Sequence, residues 1–381
     1  MISIEKIRPL RARWTSGANE DSAKVMFRFD IERPDDVKER VACALSVGSN
    51  GLTIGRIGHS PSGLAARCTG EWKGRRFFAK ILLADPYPIP DRFNVPWESS
   101  STSVAPVRQV SEQIEVEWEM TRKMRALAGG NFVPEPLGMS IPARTIVWEE
   151  ACGVRLDRAV KWSRWKRSFA EQGIHAMLQA GTWLRRVHDA SDAGTEAVDM
   201  SVIISRASKF ARENRPNISD YERAVPKVLE AAVSEIGSVF CVPVAFTHGD
   251  FCLSNLISES ANRRVVIIDF ELCRVRPVYH DLFALLSELY SQFLNPLVPK
   301  SVIQSWEKAF WEGYGPASTE IKAFARALAL ARIFYHDLYR LLTRRQRKGW
   351  IAGLNAQLYR MLLEPIVLTR RLDLPPEICP L

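Results

Sequence analysis

The sequence predicts an α+β fold of two lobes: a small β-rich lobe over about 41–150 and a larger helical lobe over 151–381, preceded by an extension over 1–40. Three observations predict it. Residues 44–83, "GLTIGRIGHSPSGLAARCTGEWKGRRFFAKILL" for the most part, are short β-rich runs punctuated by Gly, Ser and Pro. "RTIVWEEACG" is a strand leading into a connector, Trp148 to Gly153. Beyond residue 153 the apolar spacing is mostly helical, as in "GIHAMLQAGTWLRRVHDA" and "EIKAFARALALARIFYHDLYRLLTRR".

The elements follow in order. "RPDDVKERVACAL" reads as a helix with Pro34 in its first turn and acids near its start. A tight turn is expected at Trp72 to Arg75. The Pro- and Ser-rich stretch over about 85–108 interrupts any periodicity and reads as a long surface loop or flap. Residues 111–128 predict a helix with Val116, Met120, Met124 and Leu127 on one face, stopped by Gly129 and Gly130. The chain shows no internal repeat or low-complexity segment.

Composition narrows the classes. With 381 residues, 46% hydrophobic and 25% charged, the chain has the profile of a folded protein. No apolar run reaches the ~20 residues that span a bilayer, and the N-terminus lacks a signal peptide's apolar core, so a cytoplasmic protein is expected. Seven cysteines are scattered without a CxxC pair, which argues for reduced thiols rather than a zinc site or disulfide framework. The net charge of +9 favours anionic partners, but no zinc finger, basic helix or RNA-binding signature accompanies it, and no nucleic acid is expected.

The chemistry concentrates in "AFTHGDFCLSNLI", residues 245–257, followed by the apolar run Val265–Ile268 and Asp269. Phosphoryl transfer needs a group to orient the attacking hydroxyl, oxygen ligands for Mg²⁺ and a cation on the phosphates. Asp250 can accept the hydroxyl's proton, while Asn255 and Asp269 offer the hard oxygens that Mg²⁺ takes. "LISESANRRVVII" between them reads as a β-hairpin that would return Asp269 to the side of Asn255.

"HGDFCLSN" with "VVIIDFE" resembles the catalytic and metal-binding loops of aminoglycoside phosphotransferase and choline kinase-like enzymes, distant relatives of protein kinases. Gly249 in place of the kinase arginine, and Glu271 in place of the DFG glycine, match that family. The resemblance covers about 44–290. It implies a protein kinase-like fold with the nucleotide held against the helical lobe, and ATP and Mg²⁺ as cofactors. It further implies that Lys80, in "RRFFAKILL", binds the α/β-phosphates. Its partner is a helix glutamate: Glu119 fits the family's spacing, whereas Glu117 is in better helical phase with Met120 and Met124, and Glu119 is preferred. "WLRRVHDA" resembles the family's helix ahead of the catalytic loop, and Asp281 in "PVYHDLF" the acid that buttresses it. The phosphate loop departs from GxGxxG. "IGHSPSG" is its best candidate, with Gly58, Ser60, Ser62 and Gly63, although Pro61 removes one amide donor. Glu149 and Ala151 of the connector would meet the adenine through their backbone.

The acceptor implied is a small molecule or glycan. Aminoglycosides and choline are cations and need acidic pockets, yet residues 154–167 and the tail from 318 onward are net basic. A neutral or anionic sugar-type acceptor is therefore favoured over an aminoglycoside or choline-type kinase. A pseudokinase, binding nucleotide without turnover, is the competing class. In "VKWSRWKRSF", Trp162, Trp165 and Phe169 recur at helical spacing. They read either as a core-facing stripe or as a patch that makes peripheral contact with an anionic membrane surface or substrate.

Overall fold

The computed structural model describes residues 33–60, 64–85, 107–214, 224–260, 263–295 and 298–333, with short strands at 12–14, 27–29 and 87–88. Contacts divide the chain into two compact units. The first comprises residues 1–91, 104–152 and 268–272; the second comprises 92–103, 153–267 and 273–381.

The first unit begins with strands β1 (Ala12–Trp14) and β2 (Phe27–Phe29), helix α1 (Pro34–Ala44), and strands β3 (Leu52–His59), β4 (Ala65–Trp72) and β5 (Arg75–Leu82). Short strands β6 (Ala84–Asp85), β7 (Tyr87–Pro88) and β8 (Val107–Arg108) follow, then helix α2 (Val110–Ala128) and strands β9 (Pro136–Ser140) and β10 (Thr145–Glu149). Five strands form an antiparallel sheet in the order β3-β4-β5-β10-β9. Its β4–β5 turn is the one expected: Lys73 (φ 52°) and Gly74 (φ 76°) both adopt the left-handed conformation that matches the twist of a two-residue hairpin.

Helix α1 starts with Pro34, with Asp35 and Asp36 in its first turn where they complement the helix dipole. It runs through residue 40 and lays Val37 and Val41 against Phe77, Ala79, Ile81 and Val147. On α2 the buried face is Val110, Gln113, Ile114, Glu117, Thr121, Met124 and Ala128. That stripe is rotated from the one expected. Met124 is buried, but Val116, Met120 and Leu127 are only half-buried, because polar Gln113, Glu117 and Thr121 take the inner positions. Gly129 (φ 92°) ends the helix.

The second unit holds β11 (Val154–Arg155), α3 (Leu156–Trp162), α4 (Arg167–Ala190), β12 (Thr195–Asp199), α5 (Met200–Asn214), α6 (Ala224–Ile236) and β13 (Val239–Thr247). A 3₁₀ turn (Leu253–Asn255) leads to β14 (Leu256–Glu259), β15 (Arg264–Ile267), β16 (Arg274–Pro277), α7 (Tyr279–Ser291), α8 (Lys300–Tyr314) and α9 (Thr319–Arg332). Two small sheets, β11-β14-β15 and β12-β13-β16, lie among the helices. Trp183, Phe251, Phe283, Trp306, Phe310 and Phe324 are fully buried and fill the core. No helix of the described residues is long and apolar enough to cross a membrane.

The core-facing stripe through Trp162, Trp165 and Phe169 does not form. The helix breaks at a turn over 163–166, so the three residues do not share one helical face, and Trp162 and Trp165 are 44% and 72% exposed. Most of the flap over 85–108 and the basic tail beyond 333 lie outside the described residues.

Candidate active site

The motif loop of the second unit follows β13. Gly249 takes φ 88°, a conformation in which a side chain is strained, and this accounts for a glycine ahead of Asp250. The loop's backbone is braced from several elements. Asp281, in the first turn of α7, accepts the N–H groups of His248 (2.8 Å) and Gly249 (2.9 Å). Burial opposes the Asp281 charge, but the His188 hydrogen bond and charge, with Arg276 and His248, outweigh it and hold the carboxyl below its usual range. His188 reaches Asp281 at 3.4 Å and the Tyr314 hydroxyl at 2.9 Å, which makes it an interior, satisfied histidine. From β16, Arg276 donates to the Gly249 carbonyl and the Thr247 hydroxyl, each at 3.0 Å. Two helical turns beyond Asp281, Glu288 accepts the N–H of Ser254 at 3.0 Å. One face of α7 thus holds both ends of the loop.

Inside this brace the Asn255 amide donates to the carbonyl and to Oδ2 of Asp250, both at 2.9 Å. Because the Nδ2 protons are directed at Asp250, the Asn255 carbonyl oxygen points away from that bond and retains acceptor capacity. The expected hairpin is present as β14 and β15, with Leu256 opposite Ile267. Asn255 immediately precedes its first strand and Asp269 follows its second by two residues.

In the first unit Lys80, on β5, is buried among carboxylates. Its ammonium donates to Glu117 at 3.0 and 3.2 Å and to Glu271 at 2.9 Å, with Asp269 at 3.7 Å. The preference for Glu119 is corrected here: Glu119 is exposed and paired with Arg122 at 3.1 Å. The reason is helical phase, since Glu117 and Met124 lie two turns apart on the buried face while Glu119 points away from it. Burial pushes the Glu117 carboxyl up to about 7; Lys80 opposes the rise, and Glu271 and Asp269 add to it. Asp269 itself adopts φ 72°, a strained conformation for a residue with a side chain. Glu271 was noted in the sequence only as a family feature. Its contact with Lys80 spans 191 residues and no local periodicity announces it.

The remaining candidates are distributed as follows. Gly58 pairs with Arg67 in the β3–β4 ladder. Ser60 exchanges backbone and side-chain hydrogen bonds with Ala65 (2.8 and 3.1 Å), tying the end of β3 to the start of β4. Ser62 and Gly63 lie outside the described residues. The Glu149 N–H donates to the Glu135 carbonyl at 2.8 Å, and Ala151 is in the irregular connector that follows β10.

Among the described residues no three His, Cys, Asp or Glu side chains converge as a metal cage. That is compatible with Mg²⁺, which keeps several waters and takes one or two protein oxygens beside substrate phosphates. Asn255 and Asp269 supply that donor type, so the residues present fit the ion.

The first unit thus buries a lysine among carboxylates, and the second unit braces a loop that carries Asp250 with its asparagine. The sequence model of the phosphotransferase enzyme family APH matches residues 72–327, and the chain belongs to that family. No curated protein matches it. Among solved structures, a spectinomycin phosphotransferase in complex with ADP and spectinomycin is 12% identical, with a TM-score of 0.47, covering 90% of this chain and 100% of its own. The macrolide 2′-phosphotransferase of Brachybacterium faecium is 13% identical (TM-score 0.43; 87% and 97% covered). The ethanolamine kinase of Plasmodium vivax is also 13% identical (TM-score 0.44; 85% of each chain).

Proposed function

We propose that the chain transfers the γ-phosphoryl group of ATP, with Mg²⁺, to a hydroxyl of a small molecule or glycan, preferentially a neutral or anionic sugar-type acceptor. The observation that carries this reading is the setting of Asp250. The residue is 4% exposed, its carboxylate is oriented by the Asn255 amide, and it is carried on a loop whose backbone donors are held by Asp281. A carboxylate so held can accept the proton of an attacking hydroxyl with little reorganisation.

In this reading Lys80, held by Glu117, binds the α/β-phosphates, and the backbone of Glu149 and Ala151 meets the adenine. Gly58 and Ser60 belong to the strand–turn that covers the phosphates. Asn255 and Asp269 hold Mg²⁺, which, when bound, offsets the charge of the transferring phosphoryl oxygens. Glu271 also contacts Lys80, so nucleotide binding redistributes the partners of that ammonium. The net charge of +9 supports an acceptor that is not a polycation.

The test is transfer from labelled ATP across sugars, sugar phosphates, glycolipids, amines and aminoglycosides, with Asp250→Asn as control. Transfer to a sugar-type class, lost in the variant, is the expected result. Tight Mg–ATP binding without transfer to any acceptor would favour a pseudokinase. Preferential transfer to cationic acceptors would overturn the substrate assignment alone.

A further inference from the structure

The turn between α3 and α4 exposes two indoles that the fold does not use. Trp165 is 72% and Trp162 44% exposed, which is unusual for the largest apolar side chain. Trp162 touches Phe169 on one side (ring centroids 5.4 Å apart), and the Arg164 guanidinium lies 5.2 Å from the Trp165 ring centre. Neither indole N–H is hydrogen-bonded among the described residues.

Around them Arg158, Lys161, Arg164, Lys166 and Arg167 are all exposed. Of the acids nearby, Asp157 is paired with Arg155 and Glu171 with Arg167. The turn therefore presents apolar rings with wet polar edges inside a fringe of cations. Tryptophan favours the boundary between headgroups and acyl chains, and cations beside it are drawn to anionic lipid. A stacked nucleic-acid base needs an open ring face. Here Phe169 is tilted at 58° against Trp162 and the Arg164 guanidinium lies over Trp165, so one side of each ring is already taken.

We infer that the 158–167 turn docks the protein on an anionic lipid surface, with Trp162 and Trp165 entering the headgroup layer and the five cations holding it there. This contact is separate from the transfer chemistry and does not rest on it.

The test uses the full chain and sedimentation with phosphatidylcholine vesicles, with and without phosphatidylserine, at low and raised salt. Two variants are compared: Trp162→Ala with Trp165→Ala, and Lys161→Gln with Arg164→Gln and Lys166→Gln. All these side chains are exposed, so unchanged thermal unfolding by circular dichroism is expected of both. The expected result is binding to phosphatidylserine vesicles alone, weakened by salt. It falls roughly fivefold for each cation removed and is lost with the two tryptophans. Absence of binding to phosphatidylserine vesicles, or binding unchanged in both variants, would overturn the inference. Retention of single-stranded RNA without vesicle binding would likewise overturn it, and would make the turn a nucleic-acid surface.

Discussion

Among single residues, Glu117 is under the most conspicuous electrostatic tension, being a buried carboxyl that shares one ammonium with Asp269 and Glu271. Its folded value, about 7, lies above the ordinary 4.5. It therefore contributes stability that is fully present below pH 4.5 and is lost as pH rises through about 7. Urea unfolding of the nucleotide-free protein should show a decline over that window of at most about 3 kcal/mol, and Glu117→Gln should reduce the decline. Gly249 gives a second prediction: at φ 88°, Gly249→Ala should cost about 1–2 kcal/mol in the same measurement. How far these residues could be read beforehand differs for a physical reason. Asp250, Asn255 and Asp269 stand out through short-range spacing. The Lys80 partner is decided by which side of α2 faces inward; helical phase with Met124 pointed to Glu117, and the spacing of the resembled family pointed away from it.

Helix α7 works as a two-point brace, with Asp281 and Glu288 on consecutive stretches of one face. Removing Glu288 frees the Ser254 N–H at the turn that ends in Asn255. Glu288→Ala should raise the Mg²⁺ concentration for half-maximal transfer by roughly 10- to 100-fold, with little change in the urea midpoint. Asp281 acts on stability instead. Its lowered folded value means a contribution present at neutral pH that is lost as pH falls through that value. Asp281→Asn should weaken two charge-assisted hydrogen bonds, costing about 3 kcal/mol at pH 7, and flatten the acid limb of the unfolding curve. At this scale the sequence was legible where an element has strong local punctuation: the hairpin turn at Lys73 and Gly74, Pro34 opening α1, Gly129 closing α2. It misled at Trp162 and Trp165, where helical spacing continued across a break that no Gly or Pro marks.

For the whole molecule, ligand linkage supplies the broadest test. A nucleotide–metal complex that binds only the folded chain stabilises it by about 2.7 kcal/mol at a hundredfold excess over its Kd. Thermal unfolding should move upward with ATP and further with Mg²⁺, and Asp269→Ala should abolish the second increment. The division into units has a consequence of another kind, in the timing of synthesis. Residues 268–272 belong to the first unit although the chain around them belongs to the second. The carboxylate of Glu271 is made 191 residues after Lys80, which at about 5–20 residues per second is roughly 10–40 s later. During that interval the nascent β-rich unit carries its lysine and Glu117 without the carboxylates of Asp269 and Glu271. Its final ionic core is assembled only when the ribosome is well into the helical half of the message.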